Sequence, residues 1–238
     1  LSLHLHLGRG EAQLSLDGSG GSLHRRGYRA AMGAAPLKEN LAAGLIRLTG
    51  WDGSEPLVDP CCGSGVLLIE AALAALQQAP GLERRFALEG WADFQPDLWD
   101  KEVDRARQRR RGDLTLPSLL GIETDPTIAD QARANVEAAG LSGIIRICTG
   151  SFQAEALPDG PGVLVCNPPY GQRIGDEQEL DALYGALGQF VRQEASGWQL
   201  WLLSGNPKLT GALRLKASRR IPVSNGGIDC RWLQYEIR

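Results

Sequence analysis

Three short runs of this sequence carry residue types that can do chemistry. Asp59-Pro60-Cys61-Cys62-Gly63-Ser64-Gly65 sets an acid and two glycines in one turn, Glu123 stands within Gly121-Ile-Glu-Thr-Asp125, and Asn167-Pro168-Pro169-Tyr170 follows the apolar run Val163–Cys166. Glycines at 63 and 65 let backbone amides approach a ligand that side chains would exclude. An acid ahead of them is unwelcome beside a pyrophosphate and useful beside a sulfonium or ammonium cation. The turn is not the dinucleotide fingerprint, since Leu68 stands where the third glycine would fall, and no Lys-Ser or Lys-Thr follows to make a phosphate loop. A carboxylate at Glu123 can accept both hydroxyls of a ribose. Asp125, directly before Pro126, suits a helix cap instead.

The third run is the most specific. Its prolines stiffen the backbone and remove two N–H donors, which leaves carbonyls free. The amide oxygen of Asn167 and the carbonyl of Pro168 can then accept both hydrogens of an amino group. Holding them aims the nitrogen lone pair at an incoming methyl. Tyr170 offers a ring for base stacking, worth about 1–3 kcal/mol per base.

These runs need elements to position them, and the hydrophobic pattern supplies candidates. Residues 1–17 alternate around Gly8-Arg-Gly10 as a β-hairpin, and Asp17-Gly-Ser-Gly-Gly-Ser22 reads as a loop. Pro36 opens a helix with Leu37, Leu41, Leu45 and Leu48 on one face. Strand Leu57–Asp59 feeds the glycine turn and a helix over Val66–Leu76. Residues 80–117 exceed the usual α/β connection and read as an insertion with a helix near Trp99–Arg111. Strand Leu119–Glu123, helix Pro126–Ala139, strands Ile144–Cys148 and Val163–Cys166, helix Glu179–Glu194 and strand Gln199–Leu203 follow. A last helix starts near Pro207, and Arg214–Ile221 with Cys230–Ile237 forms a hairpin around Asn225-Gly-Gly227. Alternating strands and helices imply a mostly parallel sheet covered on both faces. All three chemical runs then fall at the carboxyl ends of strands, where such sheets bind ligands.

Bulk properties narrow the function classes. The 238 residues carry a net charge of −3, which gives little general attraction for phosphates, although arginines cluster at 25–29, 84–85, 105–111 and 214–220. The five cysteines form no C-x-x-C pair and there are three histidines, so zinc spacing is absent and no metal is expected. No apolar run approaches the roughly 20 residues of a membrane span. His4 and His6 alternate on a strand as structural or surface residues, and His24 is not expected to act as a base. The opening Leu1-Ser-Leu-His-Leu-His-Leu7 lacks an initiator Met and a leader, and reads as a strand cut from a longer chain. Reduced thiols in apolar runs fit a cytoplasmic location.

The order of these motifs resembles class I S-adenosylmethionine methyltransferases. Asn-Pro-Pro-Tyr is the signature of those acting on amino nitrogens. Ser22-Leu-His-Arg-Arg-Gly-Tyr-Arg29, Ala35-Pro-Leu-Lys-Glu39, Ile69-Glu-Ala-Ala72, Asn167-Pro-Pro-Tyr-Gly171 with Arg173, and Asn225-Gly226 resemble the bacterial 23S ribosomal RNA guanine-N2 methyltransferases. The resemblance implies a Rossmann-like α/β fold with a seven-stranded, mostly parallel sheet and a C-terminal antiparallel hairpin. It implies a hairpin and linker over 1–34, a methyltransferase domain over 35–238, and a THUMP-like RNA-binding domain upstream. It further implies S-adenosylmethionine as cofactor, with Asp59, Pro60, Cys61, Gly63, Ser64 and Gly65 around its methionine and ribose, Lys38 and Glu39 nearby, Glu123 and Thr124 at the ribose, and Phe152 beside the adenine. Ser151 stands where many relatives have an adenine-contacting Asp, and Val66 where Thr is frequent. Asn167 through Tyr170 would hold the guanine amine, and Arg25, Arg26, Arg29, Tyr170 and Arg173 would face RNA. The alternatives are an N6-adenine DNA enzyme, a glutamine-N5 protein enzyme, or a non-catalytic RNA-binding module with this fold. A dinucleotide-dependent oxidoreductase lacks its third glycine.

Overall fold

The structure is a computed structural model that describes residues 2–29, 37–170 and 177–238. Its centre is a seven-stranded sheet of β3 (Leu57–Asp59), β4 (Leu119–Glu123), β5 (Ile145–Thr149), β6 (Val163–Cys166), β7 (Gln199–Ser204), β8 (Arg219–Asn225) and β9 (Ile228–Glu236). The strand order is β5-β4-β3-β6-β7-β9-β8. β3 pairs in parallel with β4 and β6, β5 adds in parallel to β4 and β7 to β6, while β9 runs antiparallel to both β7 and β8. The chain builds outward from β3 to β5, then returns to the other side of β3. The order therefore reverses between β3 and β6, and the crevice there is where open α/β sheets take ligands.

Side-chain alternation shows why these strands form. Leu57, Leu119, Val163, Val165, Trp201, Leu203 and Trp232 enter one apolar cluster, and Val58, Leu120, Ile122, Leu164, Cys166, Leu200, Leu202 and Leu233 enter the other. Strands buried on both faces read as continuous apolar runs. One face is covered by α1 (Glu39–Thr49) and α2 (Val66–Ala75), with α4 (Pro126–Ala138) contributing Val136; α5 (Glu177–Glu194) and α6 (Pro207–Ala212) cover the other. The seven-stranded, mostly parallel sheet with an antiparallel C-terminal hairpin matches the reading from sequence.

Several boundaries differ. α1 begins at Glu39, and Pro36 with the expected domain boundary at 34–35 lies outside the described residues. Its buried face is Glu39, Ala42, Leu45 and Ile46, whereas Leu48 is exposed. Leu37, Leu41 and Leu45 of the expected stripe do pack on the core, but Ala42 and Ile46 complete the face in place of Leu48. β8 starts at Arg219 rather than Arg214, since Arg214 has a positive φ and turns the chain after α6. The insertion forms a short 3-10 turn at Ala87–Gly90 and α3 (Pro96–Gln108). It braces the linker: Arg84 donates to the carbonyls of Ser19, Gly21 and Ser22, and the Leu88 N–H donates to Gly18. β1 (Leu3–Gly8) and β2 (Glu11–Leu16) form a separate two-stranded sheet on which Leu3, Leu5, Leu7, Leu14 and Leu16 are exposed.

Helix α5 lies against the loop after α6 at Gly188. A Cβ there would stand 2.2 Å from the Leu213 carbonyl oxygen, while one at Gly185 meets nothing within 4 Å. Two substitutions one turn apart should thus have opposite signs. Gly188→Ala should destabilise the fold by about 2–3 kcal/mol through overpacking against backbone. Gly185→Ala should stabilise it by about 0.5–1 kcal/mol through helix propensity. Urea unfolding of both variants measures this.

Candidate active site

The three chemical runs emerge side by side at the carboxyl end of the sheet. β3 ends in Asp59, its neighbour β4 ends in Glu123, and β6, on the other flank of β3, leads directly into Asn167. The sheet order alone brings together residues more than a hundred positions apart.

The glycine turn is fixed from four directions. Gly63 and Gly65 have φ of +52° and +80°, a left-handed backbone that favours glycine. The Gly63 N–H donates to Glu123 Oε2 at 3.0 Å, and the Cys62 N–H donates to the Ile122 carbonyl. Asn135, buried on α4, donates to the Ser64 carbonyl at 3.0 Å. Arg29 donates to Ser64 Oγ at 3.2 Å. Pro60 is buried beside Asp59, and Cys61 is half-buried.

Asp59 is 1% exposed, and among the described residues its hydrogen-bond donor is the Cys61 N–H at 3.1 Å. Burial without a counter-charge pushes its carboxyl up to about 8; the Cys61 N–H opposes that rise and the nearby Glu123 adds to it. The site therefore holds a carboxyl that becomes a carboxylate most easily beside a cation. Glu123 itself also accepts from the Asp125 N–H at 3.0 Å and from the Thr124 hydroxyl, so Thr124 supports it from the exposed side. Asp125 caps α4 through the Thr127 and Ile128 N–H groups, as its place before proline predicts. Burial raises the Cys62 and Cys166 thiols well above their usual range, which leaves them poor nucleophiles.

Asn167 presents the most informative atom of the site. Its Oδ1 is buried and has no hydrogen-bond partner among the described residues. Buried polar atoms are nearly always satisfied, and an orphan acceptor costs about 1–3 kcal/mol. Pro168 is buried next to it, and Pro169 and Tyr170 are half-buried. The Tyr170 ring packs at the margin of both apolar clusters, and its hydroxyl accepts from Asn225 Nδ2 at 2.7 Å.

The remaining expected residues are placed as follows. Ser151 Oγ accepts from the Gln153 N–H at 3.2 Å and caps a short 3-10 turn. Phe152 is 4% exposed, with its ring edge-on to Phe190. Lys38 is exposed at the N-cap of α1. Glu39 is buried and takes His24 Nδ1 at 2.8 Å and Arg29 at 3.7 Å. Arg25 faces solvent, but Arg26 and Arg29, grouped with it on the RNA side from sequence, point inward. Arg26 pairs with Glu70 at 3.4 Å and Arg29 with Glu39, because each buried carboxylate requires a cation. Arg173 lies outside the described residues. Asn135, His24, Glu70 and Asn225 were given no site role from sequence. Glu70 had a clear signal, a charge inside the otherwise apolar helix Val66–Ala75, and His24 and Asn225 stood in runs that carry the family resemblance. No group of three or more His, Cys, Asp or Glu that could hold a metal stands among the described residues, and no described helix is long and apolar enough to cross a membrane.

Known proteins resemble this chain in sequence and fold. The ribosomal RNA large subunit methyltransferase K/L of Syntrophotalea carbinolica is 43% identical over the whole chain, which spans 35% of that relative's length. SMU.472, crystallised as a complex with SAH, superposes with a TM-score of 0.93 at 31% identity, over 99% of this chain and 61% of that one. A protein from Listeria monocytogenes described as a predicted N6-adenine-specific DNA methylase gives a TM-score of 0.91 at 32% identity, over 99% and 60% of the two chains. The fold is that of the class I methyltransferases. Residues 26–234 match the RMKL-like methyltransferase domain, and the chain belongs to that family.

Proposed function

We propose that this domain transfers a methyl group from S-adenosylmethionine to the exocyclic N2 amine of a guanine in large-subunit, 23S ribosomal RNA. The observation that carries the reading is the buried Asn167 Oδ1 at the end of β6, which has no partner among the described residues and lies beside the strand that ends in Asp59. The residues at the glycine turn fit this cofactor. Asp59 is a buried carboxyl without a cation among the described residues, suited to a positively charged methionine end, and the Glu123 carboxylate at the end of β4 suits ribose hydroxyls. When bound, S-adenosylmethionine supplies an electrophilic methyl group on a good leaving group.

The protein's own part is alignment. Asn167 Oδ1 and the Pro168 carbonyl accept the two amine hydrogens and turn the lone pair outward, while Tyr170 stacks on the base. Correct placement of reactants can contribute about 7–11 kcal/mol; the amine, cationic once it has taken the methyl, then loses one proton to solvent, which makes a strong base unnecessary. A base reaches such a pocket only when unstacked, in single-stranded or flipped nucleic acid. The name of the Listeria neighbour favours a second reading, adenine N6 in DNA, which uses the same amine chemistry. Digestion of the methylated product separates N2-methylguanine from N6-methyladenine by mass spectrometry.

Three outcomes test the reading. Asn167→Ala should lower kcat by about a hundredfold or more while leaving SAH affinity within a few-fold, because its contact is made to the reacting amine. Near-normal turnover would end the alignment mechanism. Asp59 gives a pH signature. Its carboxyl is raised to about 8 in the fold, so the stability it contributes is full below its usual value near 3.8 and is lost as pH rises through about 8. Asp59→Asn should flatten that decline in urea unfolding. Cofactor binding at pH 7 should release about one proton in the parent protein, read as a buffer-dependent calorimetric enthalpy, and none in the variant. Finally, with a net charge of −3, this domain is proposed to depend on an upstream, THUMP-like domain for most RNA affinity. The 238-residue piece should match the full-length protein in cofactor affinity and fall well below it in RNA affinity.

A further inference from the structure

The tip of the last hairpin reaches back to the amine end of the site. β8 and β9 are joined by Gly226 and Gly227, whose φ of +60° and +86° suit a two-residue hairpin loop. Asn225 pairs with Ile228 on the last rung before that loop, so strand pairing and turn both hold it. Its Nδ2 donates at 2.7 Å to the hydroxyl of Tyr170, 55 residues earlier in the chain. Cys230, buried on the same hairpin, brings its Sγ to 3.6 Å from that oxygen. The ring is thus held at its backbone end by the two prolines before it and at its far end by the hairpin.

The same tip forms one side of an open groove of about 550 Å³, lined by Ser224, Asn225, Gly226 and Gly227 opposite Lys38, Asn40, Leu41 and Gly44 of the α1 region. The lining is mostly polar: an ammonium without an ion pair among the described residues, two amide side chains, a hydroxyl, and backbone bared by glycine. Those groups suit a sugar-phosphate more than an apolar ligand. Because Asn225 both lines the groove and binds Tyr170, the groove continues the surface on which a target base would stack.

We propose that the hairpin tip is the outer wall of the substrate site, where Asn225 positions the Tyr170 ring through its hydroxyl and the groove between the tip and α1 receives the sugar-phosphate of the nucleotide flanking the target base. This rests on the nucleic-acid methyltransferase reading above. A ring tethered at both ends meets the base already oriented, so the tether bears on substrate engagement rather than on the cofactor. Lys38 would then neutralise one phosphate of the flanking strand.

The test uses the full-length protein with protein-free large-subunit ribosomal RNA from a strain lacking the enzyme. Asn225→Ala should raise the KM for RNA about tenfold, the scale of one lost hydrogen bond, with SAH affinity unchanged. Tyr170→Phe, which keeps the ring and removes only the tethered oxygen, should reproduce that rise. The double variant should be no worse than either single one, because both break the same contact. Lys38→Gln should reduce the slope of log KM against log salt by about 0.7, the contribution of one phosphate on a single strand. Additive effects of Asn225→Ala and Tyr170→Phe, or an unchanged KM in Tyr170→Phe, would overturn the positioning role. An unchanged salt slope in Lys38→Gln would overturn the groove's occupant. An unmodified protein that fails to methylate this RNA would instead overturn the reading on which the inference rests.

Discussion

Burying a carboxyl at the end of the central strand is the constraint around which the site is arranged. Asp59 stands where β3 stops, with one backbone donor and no cation among the described residues. A buried acid of this kind is unfavourable for the fold as a carboxylate, so the free protein keeps it largely neutral near pH 7. Tertiary packing pins it there. Pro60 stiffens the exit, and Glu123, Asn135 and Arg29 each hold a different atom of the turn that follows. Stability is given up locally, and what results is a buried acceptor that lacks a cation among the described residues. The same pattern recurs at Asn167, where an amide oxygen is buried and unpaired among the described residues. Both sites pre-form a need for a partner on either side of the topological switch, one for a cation and one for a donor.

The segment before α1 supports this arrangement from outside the sheet. Arg26, Tyr28 and Arg29 insert between α1 and α2, where Glu70 accepts from Arg26 and Tyr28 and Glu39 accepts from His24. Removing one member of a buried ion pair leaves an uncompensated charge, at a cost of about 3–5 kcal/mol. The pairs therefore specify one path for this segment even if they add little net stability. That path delivers Arg29 to Ser64, so the chain entering the domain is mechanically continuous with the glycine turn. The insertion strengthens the connection one step upstream by gripping the linker carbonyls through Arg84.

How much of this was legible in the sequence depended on whether a signal was local. Strands buried on both faces announce themselves as apolar runs, so Leu119–Glu123 and Val163–Cys166 were read with their true ends. The Asp125 cap was equally local, fixed by Pro126. The glycine turn, Glu123 and Asn167 could be ordered along the chain, and the strand ends that carry them fix their adjacency. Arginine direction was not legible. Arg25, Arg26 and Arg29 look alike in a basic run, and only the buried positions of Glu70 and Glu39 decide which of them turn inward. Leu48 failed for a related reason, since leucine outweighs alanine in a pattern while the close packing of α1 on α2 selects Ala42 and Ile46. Asn135 gave no signal, because an asparagine on an amphipathic helix is ordinary until its partner, the Ser64 carbonyl, is known.

Connectivity explains how a hairpin tip comes to lie beside Tyr170 at the end of β6. Asp59, kept largely neutral, and the Glu123 carboxylate stand at the carboxyl ends of β3 and β4. On the opposite flank, β6, β7 and β9 offer an apolar core faced by Tyr170 and an amide tether from Asn225. A backbone turn of two glycines there supplies N–H groups and close approach without adding charge to a domain whose net charge is −3. The antiparallel pairing of β9 with β7 is what makes this geometry available. A parallel strand at that edge would end with its carboxyl end at the site and need a long crossover, whereas the antiparallel hairpin presents a two-residue loop beside Tyr170. The one reversed strand of the sheet is thus the feature that carries the chain's last turn back to the Asn167–Tyr170 run at the end of β6.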